Sequence, residues 1–529
     1  MNFSYNRKLC FTNKYDIWIY IILIVTSASA AFLAVQNIRL SPDSITYSLV
    51  SQQIISGNGL RVPMIFLHRG DIPVDGTVPL LIHPPLLPIL LALLGGVTPE
   101  SFLAAQVLNL VCHVVTSIFT FLLMKNFYDK RIALLTAILV SFSLPLLTVT
   151  HYIWTEPLFI ALTVAAIYFL AVSRHSEGFL YRRNLFIAGI CASAAIMTKY
   201  SGIVLIVVFF WEVVISIKNK RLGYKYKSTI LAMSLPVITM VMIFTRNYII
   251  SGSYSGYSWA HKSSYQSAIE GVIKMLFLQF PIGKYMGTLI VICTVVFILY
   301  MFLNVNLRRE LPKYLNSGLD LILIFMLGYM ALLVYVFAEI NPKLVTYYLS
   351  PLVPFLFIVG VFMIVFAWEK IKVQRFPKLS LIGMLLFLGI IASGNGYKTY
   401  SYSPEFFNKH EEFYSILNSC TYKWTIENYE KNIIIVTNDP FNLSFFGGYS
   451  TVALPWKKWY KNTRPEDMAS ALKNSMLKVG AQALVLFELK SNERHLGSNF
   501  SGLFNKREDN DAFVLVHECS DGVVYSLKE

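Results

Sequence analysis

Apolar runs of about 20 residues recur from the N-terminus to about residue 395. A helix of that length matches the hydrocarbon thickness of a bilayer. Most of the chain can therefore fold only as a bundle of membrane-crossing helices. The composition agrees: 55 % of the 529 residues are hydrophobic and the mean hydropathy is +0.56. The expected class is an α-helical polytopic membrane protein with about 11 spans plus interfacial helices. The first run, 17–34, is long for a signal sequence, and Gln36-Asn37-Ile38-Arg39 follows it rather than a small-residue cleavage site. It reads as a retained span.

The formal net charge of +15 does not point to nucleic acid. Much of the surplus sits in short loops between apolar runs, as the positive-inside rule predicts. Of six cysteines, Cys10 is near the N-terminus, and Cys112, Cys191 and Cys293 lie in apolar runs. Cys420 and Cys519 lie in the polar tail. No Cys-x-x-Cys pair occurs, so the spacing gives no support for a zinc site. A Cys420–Cys519 disulfide suits a tail outside the cytoplasm, although spacing does not decide it.

Sidedness follows from the basic clusters. Arg7, Lys8 and Lys14 place the N-terminus in the cytoplasm. Span one covers 17–38, and the loop 39–82 then lies outside. A short apolar run from His83-Pro84-Pro85-Leu86 to Leu94 reads as an interfacial helix over 83–96. Spans follow at 101–124, 132–150 and 157–172. The stretch 184–217 is too long for one span and carries Lys199 in its middle, so it splits there into spans five and six. Span seven covers 228–248, and a Tyr/Ser/Gly-rich outer loop continues to about Tyr285. Spans eight to eleven fall at 286–304, 319–338, 344–368 and 379–395. This count sends every basic cluster inside and leaves the tail outside. The protein is thus expected in the cell membrane as a multi-pass protein. The expected domains are 1–396, containing the spans, and 397–529, a small α/β domain. In the tail, 410–430 and 465–479 suit helices, while 433–437, 451–454, 483–487, 513–517 and 523–527 read as strands. No internal repeat or low-complexity tract is present.

The ionisable and aromatic residues that stand out collect on the expected outer side. Each has two readings. Asp43 either caps a helix over 44–56 or serves a site just outside the bilayer core. His83 is either an interfacial loop residue or a substrate contact. Glu156, before Pro157, is a helix start or a site carboxylate. Lys199 and Arg246 either snorkel to the interface or bind phosphate. Lys343 is a loop charge or a contact, and Tyr347–Tyr348 an aromatic belt or a binding surface. Together they suit a phosphate-bearing lipid and a hydroxylic acceptor. Cations hold the phosphate, a carboxylate takes the acceptor's proton, and positive charge stabilises the leaving phosphate. No motif names a cofactor, and a divalent cation would fit that last role.

These residues resemble a known family, the GT-C membrane glycosyltransferases, in particular relatives of the protein O-mannosyltransferases and of the lipid A aminoarabinose transferase. The resemblance rests on Pro42-Asp43 with Tyr47; His83-Pro84-Pro85-Leu86; Thr155-Glu156-Pro157-Leu158; Ala188-Gly189 through Met197-Thr198-Lys199-Tyr200-Ser201-Gly202; Arg246-Asn247-Tyr248 with Gly252; and Tyr347-Tyr348-Leu349 before Pro351 and Pro354. It runs over roughly residues 15–365. It implies that Asp43 acts as base on the acceptor or orients it, and that Glu156 is a second acid near the cavity. It further implies that Lys199 and Arg246 lie near the donor phosphate, with Tyr47, His83, Lys343 and Tyr347 as substrate contacts. The chain departs from many relatives at Thr346, where they carry Arg, and at Asp43-Ser44, where they carry an Asp-Glu pair. The second departure weighs against a two-carboxylate metal site in that loop.

The implied activity is inverting transfer of a sugar from a polyprenyl-phosphate donor to an extracytoplasmic lipid, glycan or protein hydroxyl. A carrier or flippase for a lipid-linked glycan, or a non-catalytic assembly partner, is the alternative. The carrier reading predicts polar residues continuing through the spans.

Overall fold

A computed structural model describes residues 14–66, 76–218, 223–254, 264–278, 314–340, 346–370, 415–454, 465–487 and 512–528. In chain order the helices are α1 (Lys14–Val35), α2 (Pro42–Ile55), α3 (Leu86–Leu93), α4 (Leu103–Met124), α5 (Lys130–Ser141), α6 (Leu144–Thr150), α7 (Glu156–Ser173), α8 (Gly178–Thr198), α9 (Val204–Lys218), α10 (Gly223–Ser251) and α11 (Tyr265–Leu278). They continue with α12 (Asp320–Ile340), α13 (Val353–Lys370), α14 (Cys420–Asn428), α15 (Pro440–Gly447) and α16 (Pro465–Val479). The strands are β1 (Arg61–Val62), β2 (Met64–Phe66), β3 (Val78–Pro79), β4 (Ile434–Thr437), β5 (Ser450–Ala453), β6 (Ala481–Phe487), β7 (Phe513–Cys519) and β8 (Gly522–Leu527).

Two compact units emerge. The first holds residues 1–38, 81–86 and 106–408; the second holds 39–80, 87–105 and 409–529. This division differs from the linear one expected at residue 396. Most of the first loop clusters with the tail rather than with the spans.

In the helical unit the apolar runs become membrane-length helices. Seven described helices are long and apolar enough to cross a bilayer, or eight if α5 and α6 count as one bent span. The protein is a multi-pass membrane protein. Expected spans eight and eleven lie outside the described residues. Of these candidate spans α7 is the most enclosed, and it packs against α8, which in turn packs against α10. Small residues make the approach close: a Cβ on Gly189 of α8 would lie 2.7 Å from the Ala232 carbonyl oxygen of α10. Backbones draw near where side chains are small, and in an apolar solvent dispersion contacts then hold the helices together.

Span three is not one straight helix. It breaks between α5 and α6 with a 53° bend. Pro145 has no N–H to give the Ser141 carbonyl four residues back. His113 of α4 supplies the missing donor through Nε2 at 3.0 Å. A carbonyl can only accept, so Nε2 carries the proton. One turn away, Asn109 Nδ2 donates to the carbonyls of Thr150 (2.9 Å) and Tyr152 (2.8 Å). Buried polar groups in α4 thus satisfy the backbone freed by the break and by the end of α6, which hydrocarbon could not do. The segment expected to be an outer loop up to Tyr285 also contains helix α11. Ala268, Val272 and Met275 are its buried stripe, and it packs on α12.

In the second unit, tail strands and first-loop residues share one six-stranded sheet, ordered β2-β5-β4-β6-β8-β7. Strands β4, β5 and β6 pair parallel, and β2 adds parallel to β5 with Met64 opposite Thr451. Strands β8 and β7 close the other side antiparallel. Side chains alternate across the sheet. Ile434 and Val436 face one core with Leu472 and Met476 of α16, while Ile433 and Ile435 face the other with Leu443 of α15. Cys420 and Cys519 form a disulfide that links the start of α14 to the end of β7. Among the described residues, the only cluster of three or more His, Cys, Asp or Glu close enough to share a metal ion is these two cysteines with His517. There the two sulfurs are joined to each other.

Candidate functional site

Glu156 opens α7. Its carboxylate lies in the helix's first turn, where the N-terminal dipole favours negative charge. It is only 4 % exposed, and Thr155 Oγ1 donates to Oε2 at 3.3 Å. Its other oxygen meets Lys199.

Lys199 is the point where a long apolar stretch stops being helical. Helix α8 ends at Thr198, Lys199 adopts an extended backbone (φ −151°, ψ 134°), and a 3-10 turn follows over Tyr200–Ile203. Gly202 permits this turn: a Cβ there would lie 2.7 Å from the Ile196 nitrogen and 2.8 Å from the Ala195 carbonyl carbon. The expected split at Lys199 is therefore real and has a local steric cause. Lys199 Nζ reaches Glu156 Oε1 at 2.5 Å. The two side chains are 19 % and 5 % exposed. Nζ also stands 5.4 Å from the centre of the Tyr348 ring, within cation–π range. Burial pulls the ammonium's pKa down, but the adjacent Glu156 carboxylate, together with Tyr329 and Tyr348, raises it by more, so the net direction is upward and Lys199 stays charged.

A run of aromatic rings leads away from the pair, starting at Tyr348. Tyr152 stacks on Trp154 at 4.0 Å and 6°. Trp154 meets Tyr347 at 4.3 Å, and Tyr347 meets Tyr348 at 4.5 Å. Tyr329 donates to the Tyr348 carbonyl at 3.0 Å. Tyr347 is thus placed beside the ion pair through its neighbour.

Arg246 and His83 approach through their chain neighbours. Arg246, half-buried on α10, donates to Asn247 Oδ1 at 3.4 Å. Asn247, with no exposed surface, donates to the Tyr200 hydroxyl at 2.8 Å. Tyr200 donates in turn to the Leu81 carbonyl at 2.8 Å, two residues before half-buried His83.

Asp43 and Tyr47 belong to the second unit, on α2. The expectation that Asp43 caps this helix is corrected. Ser41 is the N-cap, its Oγ accepting from the Ser44 N–H at 3.1 Å. Pro42 suits the first helical position, so the helix starts earlier than expected and Asp43 falls in its first turn. Tyr47 is 2 % exposed. Lys343 lies outside the described residues. Asn438 and Asp439 hold the tail together: Asn438 exchanges two hydrogen bonds with the Phe487 backbone, and Asp439 caps α15.

One charged cluster went unread in the sequence. At the far end of α7 from Glu156, about 27 Å along the axis, Arg174 forms a two-pronged pair with Asp320 at 2.6 and 2.9 Å. It also donates to Glu212 at 2.7 Å, and Trp211 Nε1 donates to Asp320 at 2.8 Å. All three ionised groups are buried. Glu212 in the apolar run of α9 was the available signal, since such an acid in a span has a partner.

Residues 82–244 match the sequence profile of the family described as dolichyl-phosphate-mannose-protein mannosyltransferase. No curated protein matches the chain. Among solved structures, apo ArnT from Cupriavidus metallidurans superposes with a TM-score of 0.60 at 12 % identity, covering 97 % of this chain and 98 % of that one. ArnT from the same organism bound to undecaprenyl phosphate gives 0.56 at 10 % identity, with the same coverage. The archaeal oligosaccharyltransferase AglB from Archaeoglobus fulgidus, in complex with an inhibitory peptide and a dolichol-phosphate, gives 0.53 at 12 % identity, covering 90 % and 70 %. The chain has the GT-C glycosyltransferase fold.

Proposed function

We propose that the chain transfers a glycosyl group from a polyprenyl-phosphate carrier to a hydroxyl of an extracytoplasmic lipid, glycan or protein. The observation that carries this reading is the Lys199–Glu156 pair at one end of the bundle, 2.5 Å apart and next to the Tyr348 ring. An ammonium has three donors. Glu156 takes one and keeps the group charged, which leaves capacity for a phosphate oxygen. Arg246 and His83 would complete the phosphate's surroundings. The likeness to folds solved with undecaprenyl phosphate and dolichol-phosphate supports the same ligand class.

In this reading the acceptor oxygen attacks the anomeric carbon from the face opposite the phosphate, with inversion. A carboxylate takes the acceptor's proton, the role expected of Asp43. The bond from the anomeric carbon to the phosphate oxygen breaks, and the departing polyprenyl phosphate gains negative charge that Lys199 and Arg246 stabilise. The N-terminus lies in the cytoplasm and the tail outside. The buried polar groups of α4 argue against a carrier: His113 is spent on the backbone at the α5–α6 break and Asn109 on the carbonyls at the end of α6 rather than left to line a path.

The test is transfer of labelled sugar from synthetic polyprenyl-phosphate donors by the purified full chain in nanodiscs. Turnover is expected from at least one donor and acceptor pair, and Asp43→Asn should reduce it by about 100-fold or more. Wild-type turnover undiminished in Asp43→Asn would remove Asp43 from the reaction. Binding without transfer for every donor would favour the carrier.

A further inference from the structure

Three of the candidate site residues are one or two residues away from members of a single hydrogen-bond chain. Asn247 follows Arg246, Tyr200 follows Lys199, and Leu81 precedes His83 by two. The chain has a fixed direction. Asn247 Nδ2 donates to the Tyr200 oxygen at 2.8 Å, and the hydroxyl's one proton goes to the Leu81 carbonyl at 2.8 Å. The Asn247 amide is also held from both sides. Its Nδ2 donates to the Tyr254 carbonyl at 3.2 Å, and its Oδ1 accepts from Arg246 at 3.4 Å. Asn247 has no exposed surface, so water cannot substitute for a lost partner. An unmade bond in such a place is costly.

Segment 81–86 is held by this bond through its first residue, Leu81, which is buried. Its residues Pro84 and Pro85 have no N–H to donate. It joins the helical unit as a short piece, separated in sequence from the rest by 87–105. A tyrosine hydroxyl gripping its first carbonyl ties it to the 3-10 turn that carries Lys199.

We infer that Asn247, Tyr200 and the Leu81 carbonyl form a positioning relay that sets His83, Lys199 and Arg246 relative to one another for binding an isoprenoid phosphate. The inference rests on the proposed reading for its ligand, but not for the relay itself. Tyr200 and Asn247 are positioning residues; neither touches the phosphate.

The relay makes a prediction that a general packing role does not. Tyr200→Phe keeps the ring, which sits 6.0 Å from Phe244, and removes both bonds through the hydroxyl. Asn247→Ser shortens the amide and breaks the same chain at its other end. Each change should weaken binding of undecaprenyl phosphate by about tenfold, and the double variant should be no weaker than the worse single. Binding of the neutral polyprenol of equal length should change less than twofold. Where turnover is measurable, KM for the donor should rise while kcat holds. Independent packing effects would instead add in the double variant and weaken both lipids alike.

The experiment uses the full chain in nanodiscs, with the two lipids as probes and hydrogen exchange of the peptide covering 81–86 as a second readout. Exchange there should speed up about tenfold in Tyr200→Phe without lipid present. Unchanged exchange in both single variants, or additive losses in the double, overturns the relay. A wild-type protein that binds neither lipid while Tyr200→Phe still loosens 81–86 overturns the ligand reading and leaves the relay standing.

Discussion

Replacing Glu156 with alanine strands the Lys199 ammonium. In the native protein the two side chains are 19 % and 5 % exposed and meet at 2.5 Å. Removing one member of a buried pair costs about 3–5 kcal/mol, because the remaining charge loses its partner without regaining water. Two features temper this for Lys199: its partial exposure, and the Tyr348 ring face at 5.4 Å, worth about 0.5–2 kcal/mol to a cation. The expected loss for Glu156→Ala is therefore about 2–4 kcal/mol. Lys199→Met leaves Glu156, at 5 % side-chain exposure, with less compensation, and its loss should be the larger of the two. The double variant removes both charges and should recover at least about 2 kcal/mol relative to the sum of the singles. The assay is thermal unfolding of the four proteins in one detergent, followed by intrinsic fluorescence, with hydrogen exchange at the start of α7 as a local readout. Losses below about 1 kcal/mol in both singles, or simple additivity in the double, would refute the argument that burial makes this pair interdependent.

Two further outcomes follow from local geometry. Gly202→Ala places a Cβ against the Ala195–Ile196 backbone. It should destabilise by about 1–3 kcal/mol and weaken lipid-phosphate binding with it, because the strained turn carries Lys199; wild-type melting and binding would show that the turn has room. In the tail, burial tends to raise the pKa of Asp521, but hydrogen bonds from the Thr421 side chain and N–H and from the Cys420 N–H outweigh it and hold the carboxyl below its usual range. A depressed carboxyl contributes stability above its unfolded value, near pH 3.9, and loses it as pH falls through the folded one. Asp521→Asn should therefore speed hydrogen exchange in the first turn of α14 at pH 7, and the gap from wild type should begin to narrow below about pH 4. A gap that persists unchanged at pH 3 would count against this.

The readable parts of the chain are those whose cause is local. Apolar length alone located the spans expected at 101–124 and 157–172, found as α4 and α7, because a helix in hydrocarbon satisfies its own backbone and needs only enough apolar residues to cross. The break at Lys199 was legible because a charge in mid-run is costly wherever the helix packs. The tail strands were legible from their short β-branched runs. The expected span 132–150 ran straight through Pro145, and that the freed carbonyl would be met by His113 on another helix had no local signal.

Tertiary structure alone decided the rest. Whether Met64–Phe66 would extend the tail's sheet depends on a backbone edge more than 380 residues later, at Ser450–Ala453, and three residues carry no signal for such a partner. Lys199 and Glu156 stood out separately, as did Arg246 and His83. That Lys199 would neutralise Glu156, and that Tyr200 would tie Asn247 to Leu81, came only from packing α7, α8 and α10 together. Hydropathy is a property of a segment, whereas an ion pair or a hydrogen-bond chain is a property of two or three segments brought within 3 Å, and only the folded chain sets that distance.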